Sequence, residues 1–173
     1  MPYLVWPPEE LNLPSGRSVA IAKCRYSFKP WVGPVPFDTY GRKAVLDVGG
    51  PVFAELAILR ILEKAGWGGV WVDSYRRKFR KCWPDSPRCC CELPDPEQGL
   101  FNNIRQLSDW RGGCFDVFAW KRSDHLFVEA KRRGKDRIRS SQRKWLETAL
   151  TSGVPLESFL IFEWELANDS QDG

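Results

Sequence analysis

A chain of 173 residues, 43% of them hydrophobic and including nine Trp and ten Phe, can bury one sizeable core and is expected to form a single domain. No apolar run approaches the roughly 20 residues that span a bilayer, and MPYLVWPPEE has neither a charged n-region nor an apolar h-region, so no membrane role is expected and the cytoplasm is the expected compartment. The net charge is only +4, but it is unevenly placed: between Trp120 and Lys144, ten Lys or Arg oppose three acids. Positive charge gathered around carboxylates points to a polyanionic partner, nucleic acid above all.

In chain order, residues 1–18 are Pro-rich and read as an extended arm, and Val19–Tyr26 alternates as a strand. The three prolines between Lys29 and Gly41 predict a loop, and Lys43–Val48 a short strand closed by Gly49-Gly50. Pro51 is placed to open a helix, PVFAELAILRILEKAG, that stops at Gly66. On that helix Val52, Glu55, Ile58, Leu59 and Leu62 share one face, with Glu55 at its centre. A carboxylate there is costly without a polar destination.

Gly69–Tyr75 reads as a strand, followed by the basic cluster Arg76, Arg77, Lys78, Arg80 and Lys81. Residues 78–113, with several prolines and a short helix at Leu100–Leu107, read as an insertion between two core strands. Cys114–Trp120 and His125–Lys131 then form a hairpin. With its turn centred between Arg122 and Ser123, Trp120 faces His125, Phe118 faces Phe127 and Asp116 faces Glu129. Opposed residues of an antiparallel pair lie roughly 5 Å apart at Cβ. Strand alternation puts Lys131 on the face of Glu129. A helix is predicted over Arg137–Ser152, with Gln142 in the line of Ile138, Trp145, Leu146 and Ala149, and a last strand over Ser158–Trp164.

Three inward polar positions result: Glu55, the Asp116/Glu129/Lys131 set, and Gln142. Two carboxylates and an ammonium on one face suit a hard cation and a phosphate, because hard cations prefer oxygen ligands. His125, the single histidine, lies nearer the turn and is expected to be a strand-end residue.

The segments PVFAELAILRILEKAGW, GGCFDVFAW and LFVEAKRRGKDRIRSSQRKWLETAL together resemble the PD-(D/E)XK nuclease superfamily, most of all its VRR-NUC branch, and are similar to archaeal-type Holliday junction resolvases. Glu55 matches the acid of the family's first helix, eleven residues before Gly66; Asp116 the motif Asp; Glu129-Ala130-Lys131 the E-x-K triplet; Gln142 the Gln of the next helix. Cys114-Phe115 stands where the family often has a Pro. The resemblance implies an α/β fold with a restriction-endonuclease-like core, a central mixed β-sheet flanked by helices in the order helix-strand-strand-strand-helix-strand. That core spans residues 51–166 with the insertion 78–113, after an N-terminal extension 1–50 and before a tail 167–173.

The implied activity is Mg²⁺- or Mn²⁺-dependent hydrolysis of phosphodiester bonds, in DNA in preference to RNA and including junction structures. Asp116, Glu129 and the Ala130 carbonyl would hold the metal. Lys131 would orient the attacking water and stabilise the transition state, Glu55 would hold a metal-bound water or a second ion, and Gln142 would contact the water or the scissile phosphate. Arg132, Arg133, Lys135, Arg139, Arg143 and Lys144 would grip the backbone without reading sequence. A homodimer is expected from the resolvase likeness.

Two other functions compete: a nuclease-like fold that binds nucleic acid without cutting it, and a zinc-stabilised interaction module. For the latter, Cys82, Cys89, Cys90 and Cys91, with Cys114 as a further ligand, could hold a structural Zn²⁺. They could equally be ordinary thiols, since consecutive cysteines rarely point at one metal and the spacing is not that of paired C-x₂-C motifs.

Overall fold

A computed structural model describes residues 4–39, 44–83, 89–107 and 112–167. It is an α/β structure built on one ten-stranded mixed sheet. In chain order the elements are β1 (Leu4–Asn12), β2 (Ser18–Pro30), β3 (Leu46–Asp47), β4 (Pro51–Val52), α1 (Ala54–Lys64), β5 (Gly68–Asp73), β6 (Lys78–Arg80) and β7 (Cys90–Cys91). There follow α2 (Asp95–Leu107), β8 (Val117–Lys121), β9 (Asp124–Arg132), α3 (Ser140–Thr151) and, after a 3₁₀ turn at Leu156–Ser158, β10 (Phe159–Leu166). The strands lie in the order β4-β3-β2-β10-β9-β8-β5-β6-β7, with β1 also paired to β2. No helix among the described residues is long and apolar enough to cross a membrane.

The hairpin forms in the expected register. Trp120 pairs with His125, Phe118 with Phe127 and Lys121 with Asp124, and Arg122 takes the left-handed conformation (φ 57°) that the two-residue turn requires. Side-chain alternation then divides two cores. Phe118, Phe127 and Phe159 stack beneath Trp145 and Leu146 of α3 and Phe101 and Ile104 of α2. Val117, Val128, Phe162 and Cys24 meet Ala57, Ile58 and Leu59 of α1 on the opposite face. The strands β8, β9 and β10 are buried on both sides, as their double apolar pattern requires.

Of residues 1–18, expected as an extended arm, Leu4–Asn12 is extended and pairs antiparallel with β2 through residues 18–25. The N-terminal extension joins the sheet, because Ala22–Phe28 of β2 pairs in parallel with Leu160–Leu166 of β10. Two expectations are corrected. Pro51 does not open the first helix. Gly49 and Gly50, both at positive φ, turn the chain so that Pro51–Val52 pairs with Leu46–Asp47, and Phe53 becomes the N-cap. Proline is tolerated there because β4 is an edge strand. The insertion is likewise structured: β6 and β7 extend the sheet, and α2 begins at Asp95, ahead of the expected Leu100, with Pro96 in its first turn.

Two boundaries also move. The strand after α1 ends at Asp73, and Ser74–Arg77 forms a turn, where a strand to Tyr75 is expected. Helix α3 starts at Ser140 rather than Arg137, since Gln142 Oε1 accepts the Arg139 N–H at 2.9 Å and closes the first turn there.

Candidate functional site

Asp116 precedes β8 by one residue and continues its pairing: its carbonyl accepts the Val72 N–H at 2.8 Å. Its carboxylate Oδ2 accepts the Ala130 N–H at 3.0 Å, which ties it across the hairpin to β9. Glu129 and Lys131 leave β9 on the face covered by α3, and both are buried, at 1% and 9% exposure. Lys131 Nζ sits 2.7 Å from Glu129 Oε1. Gln142, in the first turn of α3, donates from Nε2 to Glu129 Oε1 at 2.5 Å and accepts from Lys131 Nζ at 3.2 Å through its own Oε1. Asp116, Glu129, Lys131 and Gln142, expected as one set, are thus brought together.

Burial pushes the Glu129 carboxyl above its ordinary range, while Lys131, Asp116 and Gln142 pull it back. The Asp116 and Glu129 carboxyls lie within hydrogen-bonding reach of each other. Glu129 Oε2 is buried and meets no donor. Leaving a buried carboxylate oxygen unmatched is expensive, and two adjacent carboxylates repel unless a proton or a cation lies between them. Two adjacent carboxylates are the kind of oxygen donor that a hard divalent cation takes, and Mg²⁺ commonly uses one or two of them and keeps several waters.

A cleft of about 240 Å³ opens beside these groups, lined by Glu55, Asp73, Tyr75, Asp116, Arg139 and Gln142 among others. Glu55 also lines an adjoining cleft of about 270 Å³ with Ala130, Arg132 and Lys135. It stands in the first turn of α1, where a negative charge suits the helix dipole. It shares the cleft with Asp116 but does not complete a three-acid cage: among the described residues no three His, Cys, Asp or Glu side chains converge on one metal position. The reason is the layer arrangement, which sets α1 on the sheet face opposite α3.

The same observation bears on the thiols. Cys89 is buried, Cys90 exposed, and Cys82 and Cys91 half-buried. Cys90 and Cys91 are successive residues of β7 and so face opposite ways. The four are not gathered as a zinc cage. Cys114 is buried beside the site, where burial and the charges of Glu129 and Asp116 hold its thiol well above the ordinary range.

The expected phosphate-gripping residues divide. Arg139 lines the cleft of Asp116, while Arg132 and Lys135 line the adjoining one. Arg133 is paired with Glu165 at 2.9 Å. Arg143 and Lys131 line a further pocket with Glu9, Glu10, Asp136 and Glu163, where acids oppose a polyanion, and Lys144 is exposed. His125 lies at the far end of the hairpin, 3.4 Å from the buried Glu97 and stacked on Phe118.

Two residues were not anticipated. Asp73 ends β5 inside the cleft, buried, with its Oδ2 2.8 Å from Arg80 Nε. The signal was present in GVWVD, an acid closing an apolar strand next to the strand of Asp116. Gly113 is pressed against α3: a Cβ there would lie 2.2 Å from the Ser141 carbonyl oxygen, and its φ is +93°. Only glycine admits both the conformation and the approach that set Gln142 beside Glu129.

Comparison with protein-family models, with curated proteins and with solved structures finds no significant match to this chain, so the chemistry of the cleft stands on its own geometry.

Proposed function

We propose that this protein is a metal-dependent nuclease with a restriction-endonuclease-like core, hydrolysing phosphodiester bonds of nucleic acid, DNA in preference to RNA. The observation that carries this is the pair of adjacent carboxyls, Asp116 and Glu129, with Glu129 Oε2 buried and unmatched and with Lys131 and Gln142 in direct contact. The element order supports it: α1, β5, β8, β9, α3 and β10 run helix-strand-strand-strand-helix-strand, with β6, β7 and α2 inserted.

When bound, Mg²⁺ or Mn²⁺ would supply Lewis-acid polarisation of the phosphate and an acidified water. Asp116, Glu129 and the Ala130 carbonyl would hold it. The Ala130 N–H fixes the Asp116 carboxylate, and Gln142 Nε2 fixes that of Glu129, so both ligands are oriented before substrate arrives. Lys131 brings a positive charge to the point where the phosphoryl oxygens gain negative charge in the transition state. Gln142 Oε1 steers its ammonium. Glu55, which lines the same cleft, would orient a water, and Arg139, Arg132 and Lys135 would hold backbone phosphates.

The test is incubation with single-stranded, duplex, flapped and four-way DNA and with RNA, in Mg²⁺ or Mn²⁺, beside Asp116→Ala and Lys131→Ala. Cleavage by the wild type and its loss in both variants is the expected result. A wild type that cuts none of these, or variants that cut equally well, would overturn the proposal.

A further inference from the structure

The turn between β5 and β6 carries a tyrosine over the mouth of the same cleft. Tyr75 is 92% exposed, the highest value among the described large hydrophobic residues. An aromatic ring left in water is ordinary on a mobile tip, but this turn is held from below. Asp73 Oδ1 accepts the Arg76 N–H at 3.2 Å, and Asp73 Oδ2 accepts Arg80 Nε at 2.8 Å. Asp73 and Arg80 are buried, at 5% and 3% exposure. Arg77 takes a left-handed φ of 54° to close the turn. The ring is therefore displayed on a rigid support.

Its surroundings give the chemistry of what it meets. Tyr75 lines the cleft that holds Asp116, Gln142 and Arg139. The Arg76 guanidinium lies 5.8 Å from its ring centroid, and Arg76, Arg77 and Lys78 are all exposed. An exposed ring next to a guanidinium, in a run of exposed cations beside the cleft, matches the pairing of base-stacking platform and electrostatic groove used to bind single strands. A paired duplex offers bases only by their edges, so such a ring gains from a strand whose bases are open.

We propose that Tyr75 stacks on an unpaired base next to the scissile phosphate, which makes flapped, forked or single-stranded nucleic acid the preferred substrate class. The placement of the scissile bond rests on the nuclease function proposed above; the stacking itself does not. Arg76 and Arg77 hold the phosphates flanking that base. A protein partner for the same ring is disfavoured by position, since the tyrosine borders the carboxylate cleft.

The experiment measures binding with Ca²⁺ in place of Mg²⁺. The probes are a DNA strand of about 20 nucleotides carrying 2-aminopurine, a blunt duplex of the same sequence, and a flapped duplex with 2-aminopurine in the flap. Tyr75→Ala is expected to weaken the single-stranded and flapped probes about five- to a hundredfold, while duplex affinity stays within about twofold. The quenching of 2-aminopurine by the wild type should vanish in Tyr75→Ala and persist in Tyr75→Phe and Tyr75→Trp. Equal affinity of Tyr75→Ala and wild type for every probe would overturn the proposal, as would an equal loss on the blunt duplex, or a wild type that binds no DNA. Cleavage run in parallel separates the two ideas. A wild type that cuts while Tyr75→Ala binds normally overturns only the stacking role. A wild type that binds with quenching but does not cut overturns only the nuclease.

Discussion

Gln142 Nε2 donates to Glu129 Oε1 at 2.5 Å, joining the first turn of α3 to the middle of β9. The same side chain accepts from Lys131 Nζ and from the Arg139 N–H, so one amide orients the acid, the ammonium and the helix start together. Gln142→Ala is expected to cut cleavage about 10²- to 10³-fold through the loosened Lys131 and Glu129. It is also expected to lower stability by about 1–2 kcal/mol through the lost cap and hydrogen bonds. Steady-state cleavage and urea unfolding of the same variant check the two effects; normal cleavage beside lowered stability would confine Gln142 to a capping role.

Metal binding should be visible without any reaction. A ligand that binds only the folded state stabilises it, by about 1.4 kcal/mol at ten times its dissociation constant. For a domain of this size that raises Tm by about 3–6 °C. Differential scanning fluorimetry with Mn²⁺ should give this shift for the wild type and none for Asp116→Asn, which keeps the shape of the side chain and removes its charge. Equal shifts in the two proteins would place the ion elsewhere.

Gly113→Ala tests how α3 is positioned. The new Cβ would meet the Ser141 carbonyl at 2.2 Å in a residue already at φ +93°. We expect a loss of about 2–4 kcal/mol, together with a fall in cleavage as Gln142 moves away from Glu129. Gly112→Ala is the control: its φ is +101°, but nothing lies within 4 Å of where its Cβ would stand. It should cost only about 1 kcal/mol and leave cleavage intact. Thermal unfolding and cleavage of the pair distinguish crowding from backbone strain.

The buried thiol of Cys24 predicts a pH dependence. Burial pushes it up to about 11 from 9.0. The folded state thus holds the proton more tightly than the unfolded chain. The associated stability is fully present below the unfolded value and is lost as pH rises through the folded one. The wild type should lose stability between about pH 9 and 11, the window set by those two values. Cys24→Ala lacks this component, so its Tm deficit at pH 8 should narrow by pH 11. A deficit that stays constant across that range would show that the Cys24 thiol ionises alike in the folded and unfolded chain.

By itself, the sequence determined what depends on neighbours in the chain. The period of two around Arg122-Ser123 sets the hairpin register, which opposes Asp116 to Glu129 and puts Lys131 beside them. The helical period turns Gln142 inward, and it arrives at Glu129. Only the tertiary structure decided what depends on distant strands. Ala22 of β2 pairs with Leu160 of β10, and no local pattern marks two parallel partners so far apart. Hence β1 and β2, within the N-terminal extension, join the sheet. The same layering sets α1 opposite α3, which brings Glu55 to the cleft without joining it to the two carboxylates. It also places Asp73 and Tyr75 at that cleft, because β5 lies against β8. Periodicity reports which way a side chain faces within its own element; which element it faces is settled by the pairing of strands and the stacking of layers.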